Sequence, residues 1–129
     1  MSQAPIRRQE VDRFWEHHPV AAASIDAPLG TAEYFQGFDR LREAMEPAEL
    51  RERVYGFQAS GGKRVLDVGT GDGTYAIEAA VRGAIVTALD LEQKILDAAR
   101  ARAASRGVDV TLRQGRAEQL PFDDASFDV

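Results

Sequence analysis

Asp67-Val68-Gly69-Thr70-Gly71-Asp72-Gly73 is the stretch on which the fold turns. The five residues that end on Val68, Arg64 to Val68 (RVLDV), read as a short strand. Behind it, Thr74 to Arg82 reads as a helix with Ala76, Ile77, Ala80 and Val81 inward, closed by Gly83. Glycine is required where the backbone takes positive φ or lies close against a ligand. A plain strand-to-helix turn needs one glycine, and each further one costs about 1 kcal/mol of chain entropy. Three at alternate positions therefore point to a ligand lying flat on the main chain, with a bare tight turn as the other reading.

The strand, turn and helix pattern continues outward from that loop. Ala84 to Leu89 (AIVTAL) reads as a second strand, apolar enough to be buried on both faces. Glu92 to Arg106 reads as a helix carrying Ile95, Leu96, Ala99 and Ala103 on one face, with Gly107 as its cap. Val108 to Leu112 is the third strand candidate, and Ser126 to Val129 begins a fourth. Strands alternating with helices of this length imply crossover units and a parallel α/β sheet. Ligands of such sheets sit at the carboxyl ends of the strands, where strand order reverses. The rule selects the loops after Val68, Leu89 and Leu112.

Residues 1 to 62 read differently, as a helical N-terminal extension ahead of a core spanning 63 to 129. Val11, Phe14, Trp15 and His18 follow helical spacing, and Pro19 stops that helix. Thr31 is placed to N-cap a second helix whose stripe is Tyr34, Phe35, Phe38, Leu41 and Met45, with Pro47 at its end. Leu50, Val54 and Phe57 suggest a third, closing near Gly56. Arg40, Arg42, Arg51 and Arg53 lie among glutamates and read as a solvated helix face. Trp15, Tyr34, Phe35 and Phe38 form either an apolar lid or the core of a small helical subdomain. His17 and His18 are adjacent and lack the i, i+4 spacing of a metal pair; a surface or capping role outweighs that of a general base.

Composition excludes several function classes. The 129 residues carry a net charge of -5, with 44% hydrophobic and 29% charged residues, a soluble globular balance. An acidic chain lacks the electrostatic footprint of a general nucleic-acid binder, and it disfavours an anionic membrane surface. With no cysteine there is no disulfide, thiolate metal site or cysteine nucleophile. No apolar run approaches the roughly 20 residues that span a bilayer, and no secretory signal follows the first arginines. The expected compartment is the cytoplasm, and no metal site is expected.

The identity of the ligand rests on three loops. A dinucleotide fingerprint is Gly-x-Gly-x-x-Gly, whose third glycine would fall on Thr74; the sequence has Gly-x-Gly-x-Gly instead, with Asp67 two places before Gly69. VLDVGTGDGTYA resembles the first motif of class I S-adenosylmethionine-dependent methyltransferases. The resemblance implies that Gly69, Thr70, Gly71 and Gly73 hold the methionine part of S-adenosylmethionine and that Asp67 orders the loop. Asp90 ends the second strand 21 residues after Gly69; a carboxylate there accepts both ribose hydroxyls, caps the next helix, or does both. Leu91, by the same resemblance, packs on the adenine. QGRAEQLPFDDASFDV is similar to a stretch common in the small-molecule members of that family, where the residue before Ala117 and the Ala117 amide address the adenine edge. Arg116 departs from the frequent Asp and has no acceptor for the adenine amino group, which leaves Glu118 as a reserve candidate.

Taken together, these motifs identify the N-terminal part of such a methyltransferase. Its fold is an incomplete Rossmann-like parallel sheet of three to four strands with flanking helices, preceded by the helical segment. The implied partner is a small-molecule methyl acceptor. Transfer from a sulfonium needs mainly alignment of two bound reactants, worth on the order of 7–11 kcal/mol of barrier, so no catalytic residue is named. Acceptor-binding residues are expected beyond the fourth strand, so the 129 residues are expected to be inactive alone. Two rivals stand beside this reading: a nicotinamide-dependent oxidoreductase fragment, and a non-catalytic nucleoside-binding module. Neither the acceptor nor the oligomeric state is written in the sequence.

Overall fold

The computed structural model describes residues 8–17 and 22–129. Its helices are α1 (Arg8–His17), α2 (Ala32–Met45), α3 (Ala48–Tyr55), α4 (Thr74–Val81) and α5 (Gln93–Ser105). Its strands are β1 (Arg64–Val68), β2 (Ile85–Asp90) and β3 (Thr111–Gln114). Short 3-10 turns cover Ala22–Ser24 and Phe57–Ser60.

The sheet is parallel in the order β1-β2-β3, with Val68 opposite Leu89 and Asp90 opposite Gln114. Each crossover runs through a helix, α4 and then α5, as parallel pairing demands. On the free side of β1, the Asp128 and Val129 amides donate to the Arg64 carbonyl (2.8 and 3.2 Å) and the Leu66 amide donates to the Val129 carbonyl (2.9 Å). The chain thus crosses back over β1, and the order of pairing reverses beside that strand. This is where an open α/β sheet forms its ligand crevice, and the glycine loop leaves β1 there. Ser126 to Val129 makes these bonds without forming an assigned strand.

Packing explains where the elements depart from their expected bounds. One sheet face, with Val65, Val86, Ala88 and Leu112, packs against Phe57, Ala76 and Ala79. The alternate face is open at Ile85, which is 64% exposed, and closed at the fully buried Leu89, so β2 is buried on both sides only towards its carboxyl end. In α4 Ala76, Ile77 and Ala79 are buried and Ala80 packs half-buried against the same core, while Val81 turns outward. In α5, Ile95, Leu96, Ala99 and Ala103 are all buried, as their spacing predicts. β3 starts three residues later than expected. The Gly107 and Val108 amides still close the end of α5, on Ala104 and Ala103 (both 3.1 Å), so pairing with β2 begins only at Thr111.

The N-terminal helices are held by ring contacts, such as Tyr55 of α3 against Tyr75 of α4 at 4.8 Å, and by polar contacts. Thr31 caps α2, its hydroxyl accepting from the Tyr34 amide at 3.2 Å. Tyr34 is fully buried, but Met45 at the end of the same stripe is exposed. α3 ends on Gly56 at φ 63°, yet Leu50 and Val54 face solvent and Arg51 is the buried residue. The solvated arginine face is therefore corrected at two positions. Arg51 bonds Glu43 at 2.9 Å and the Glu46 carbonyl, and Arg42 bonds Glu78 of α4 at 3.1 Å. A charged side chain that reaches a partner across an interface buries its stem there, which periodicity along one helix does not reveal. α1 buries none of its residues; Phe14 and Trp15 are largely exposed. His18 and Pro19 lie outside the described residues. None of the described helices is long and apolar enough to cross a membrane.

Candidate functional site

Glycine fixes the loop after β1. Gly69, Gly71 and Gly73 all have positive φ (74°, 58° and 78°), a region costly for other residues. Their surroundings divide them. A Cβ on Gly69 or Gly71 would meet nothing within 4 Å, so these two face open space. A Cβ on Gly73 would lie 3.0 Å from Cβ of Ala99, so its missing side chain lets α4 and α5 approach. Two glycines thus border the crevice, and the third serves helix packing.

Four amides of the loop, those of Gly69, Thr70, Gly71 and Gly73, donate within the protein. The Gly69 and Thr70 amides donate to the Leu89 carbonyl (2.8 and 3.0 Å), and the Gly73 amide donates to the Thr70 carbonyl (3.0 Å). The Gly71 amide donates to Oδ2 of Asp90 at 2.8 Å, while Asp90 Oδ1 accepts from the Glu92 amide at 3.2 Å. Asp90 therefore ties the glycine loop to the start of α5 and retains lone pairs on both oxygens. Asp67 Oδ2 accepts from the Thr70 hydroxyl at 2.7 Å. Burial raises the Asp67 pKa, with the Asp90 charge adding to it; the Thr70 hydroxyl and the Ala76 amide pull it back.

Asp72, inside the same loop, points into the protein. Its Oδ1 accepts from the Thr74 hydroxyl (2.6 Å) and amide (3.3 Å) at the first turn of α4, and its Oδ2 pairs with Arg102 of α5 at 2.6 Å. Arg102 is 3% exposed; it also bonds Asp39 of α2 and lies over the rings of Phe35 and Phe38. A helix N-terminus ordinarily attracts an anion. Here the protein's own carboxylate takes that place.

The loop after β3 forms the other wall. The Gly115 amide donates to the Asp90 carbonyl at 2.9 Å, and Gln114 Nε2 donates to the Leu91 carbonyl at 2.8 Å. A Cβ on Gly115 would come 2.7 Å from Cδ1 of the buried Leu89, so any side chain there would force Leu89 to shift. Beyond Asp90 a cavity of about 370 Å³ is lined by Asp12, Leu91, Glu92, Gln114, Gly115 and Arg116. Arg116 NH1 donates to both Asp12 oxygens (2.8 and 3.1 Å), and its NH2 lies 3.5 Å from Glu118. Ala117 and Glu118 are exposed and do not line the cavity. Glu118's own amide, with Arg116 and Arg8 nearby, lowers its pKa.

The structure thus gathers Asp67, Gly69, Thr70, Gly71 and Asp90 at one crevice and places Leu91 in the adjoining cavity. Sequence reasoning missed Asp12, Asp72, Arg102, Gln114 and Gly115. Only Gly115 carried a local signal, a glycine directly after a strand. No group of three or more metal-ligating side chains occurs among the described residues.

Comparisons with known proteins agree with this geometry. A family model described as a methyltransferase domain matches residues 65–129. An uncharacterized protein of Mycobacterium tuberculosis is 49% identical over 68 residues, which is 53% of this chain and 25% of that protein. A demethylmenaquinone methyltransferase of Deinococcus radiodurans is 41% identical over 69 residues, 52% of this chain and 29% of the relative. The chain therefore spans about a quarter of the length of these relatives. Among solved structures, the cyclase SpnF superposes with a TM-score of 0.62 at 27% identity, covering 99% of this chain and 50% of the other. The parallel sheet, the glycine loop tied to Asp90 and the family match over half the residues converge: the chain belongs to the methyltransferase-domain family.

Proposed function

We propose that the protein binds S-adenosylmethionine across the carboxyl ends of β1, β2 and β3 and transfers its methyl group to a small-molecule acceptor. The observation that carries this reading is the Asp90 bridge. One carboxylate at the end of β2 fixes the glycine loop through Gly71 and keeps lone pairs for a ribose diol beside it. Gly69 and Gly71 leave open space for the methionine portion, and Leu91 offers an apolar contact for the base. Thr70 and Asp67 hold the loop in that shape. When bound, the cofactor supplies an activated methyl group on a sulfonium; this chain's residues bind and orient it. A cytoplasmic site of action belongs to the same reading, as does the division into a helical extension at 1–62 and a cofactor core at 63–129.

A nicotinamide dinucleotide fits less well. Its pyrophosphate requires free amides and a positive helix end. The amides of Gly69, Thr70, Gly71 and Gly73 are engaged, and Asp72 occupies the start of α4. The likeness to a cyclase favours a second reading, cofactor binding without methyl transfer, because the fold and the cofactor crevice do not fix the reaction.

Calorimetry with S-adenosylmethionine and S-adenosylhomocysteine, with NADH as the control, tests the cofactor half. Binding of the sulfur nucleosides, weakened at least tenfold in Asp90→Ala, supports it. Binding of NADH alone, or of none by a folded protein, overturns it.

A further inference from the structure

Between Gly71 and Gly73 the loop carries Asp72, which is 6% exposed and points into the protein. Its Oδ1 accepts from the Thr74 hydroxyl and amide, and its Oδ2 accepts from one terminal nitrogen of Arg102 at 2.6 Å. That same nitrogen lies 2.6 Å from the Thr74 hydroxyl. The other terminal nitrogen of Arg102 donates to Asp39. One buried guanidinium thus bridges two carboxylates, the first in the glycine loop and the second on α2.

α2 closes over this bridge. The guanidinium carbon of Arg102 lies 5.3 Å from the ring centre of Phe35 and 5.8 Å from that of Phe38. Tyr34 is fully buried; burial and the Asp72 charge raise its hydroxyl pKa and the Arg102 charge lowers it, so it stands beside the same pair. Tyr34, Phe35, Phe38 and Asp39 share one face of α2 over successive turns. Two ring faces and a carboxylate around one guanidinium favour its charge and fix its plane.

The bridge divides the donors of Arg102. Asp39 keeps one terminal nitrogen engaged, so Asp72 receives the other alone and keeps Oδ1 for Thr74. An arginine and a carboxylate left to themselves pair through two parallel bonds. Without Asp39, the released nitrogen is a buried donor lacking its acceptor, and Oδ1 of Asp72 becomes its replacement. That exchange takes Oδ1 from Thr74 and turns residue 72 between two glycines. Gly71, next to it, holds its amide 2.8 Å from Asp90 Oδ2, the contact that joins the loop to the second strand.

We propose that Asp39 of α2 is a positioning residue for the cofactor: through Arg102 and Asp72 it holds Gly71 in the conformation that bonds Asp90. The inference rests on the S-adenosylmethionine reading above. It gives the N-terminal extension a part in cofactor binding from outside residues 65–129, the segment that matches the family.

The test pairs calorimetry with S-adenosylhomocysteine and amide hydrogen exchange at Gly71 without ligand, on variants whose fold circular dichroism verifies. Asp39→Asn keeps the size but removes the charge; it binds about tenfold more weakly, and the Gly71 amide exchanges about tenfold faster. Asp39→Glu restores the carboxylate at a side chain 43% exposed, where a longer one has room, and returns affinity to within about threefold of the unmodified protein. Glu78→Gln is the control. It cuts the other tie of the extension, to Arg42 (3.1 Å) and Arg51 (3.5 Å), without touching the bridge. It lowers the urea midpoint yet leaves affinity and Gly71 exchange within about twofold. An Asp39→Asn protein that is less stable but binds and exchanges like the unmodified one overturns the inference and makes Asp39 a plain packing residue. Glu78→Gln losing as much affinity as Asp39→Asn, or Asp39→Glu failing to recover it, overturns it as well. Failure of the unmodified protein to bind S-adenosylhomocysteine removes the cofactor reading itself; exchange at Gly71 then still shows whether Asp39 holds the loop.

Discussion

The two walls of the crevice are built by different means. The glycine loop at 69–73 is set by backbone bonds to Leu89 and by Asp72, whose partner Arg102 is buried and clasped by Asp39, Phe35 and Phe38. The far wall, at 114–118, is set where it meets α1 by ion pairs that remain partly in water, Arg116 with Asp12 and with Glu118. Buried pairs are screened little by salt, whereas exposed pairs are weaker, about 0–1 kcal/mol, and weaken further as salt rises. One wall is therefore preformed and the other is adjustable.

Arg102 gives the strongest way to break this contrast. Arg102→Ala leaves the Asp72 carboxylate buried without its cation, and it should cost about 3–5 kcal/mol in urea unfolding. A loss below about 1 kcal/mol would show that the loop does not depend on the ion pair.

The glycines sharpen it next. Gly73→Ala combines a left-handed φ with a crowded contact on Ala99, and it should destabilise by about 2–3 kcal/mol. Gly71→Ala meets open space, so only its φ of 58° opposes it, at about 1–2 kcal/mol. Its larger effect should appear in calorimetry as lost S-adenosylhomocysteine binding. Equal stability losses in the two variants would contradict the division between packing glycine and crevice glycine.

On the adjustable wall the effects are smaller. Asp12→Ala should shift the melting temperature only slightly, and the shift should shrink between low salt and about 0.5 M salt. A salt-independent shift would place this pair with the buried one.

The smallest effect belongs to the tie that returns the chain to β1. Arg64, through its side chain and amide, lowers the Asp128 pKa from 3.8 to about 2. A carboxylate whose pKa is lower in the folded state stabilises above its unfolded value and loses that contribution as pH falls. The melting-temperature gap between the unmodified protein and Asp128→Asn should thus be full above pH 3.8 and close as pH falls towards about 2. A gap that persists at the acid end would mean that the charge is not what holds this segment.

Much of the core was legible because its signals are local. The glycine spacing, the apolar strands and the one-sided face of α5 follow from backbone sterics and helical period. Asp90, which ties the glycine loop to the start of α5, could be singled out because a carboxylate at the end of a second strand is a local mark too. Legibility ended where a side chain reached across the molecule. Gly73 looks like its two neighbours in sequence, yet it faces Ala99 on another helix. Arg51 sits among glutamates like a solvated residue, yet Glu43 and Glu46 fold over it.

The sequence by itself determined a parallel α/β core with a glycine loop after its first strand, because glycine position and hydrophobic period act over a few residues. Only the tertiary structure decided which glycine borders the crevice, which arginine is buried and which carboxylate faces residue 116. Asp12 and Arg116, or Asp72 and Arg102, meet across 104 and 30 positions of chain. Such pairing depends on where whole elements pack, and no spacing within either segment encodes it.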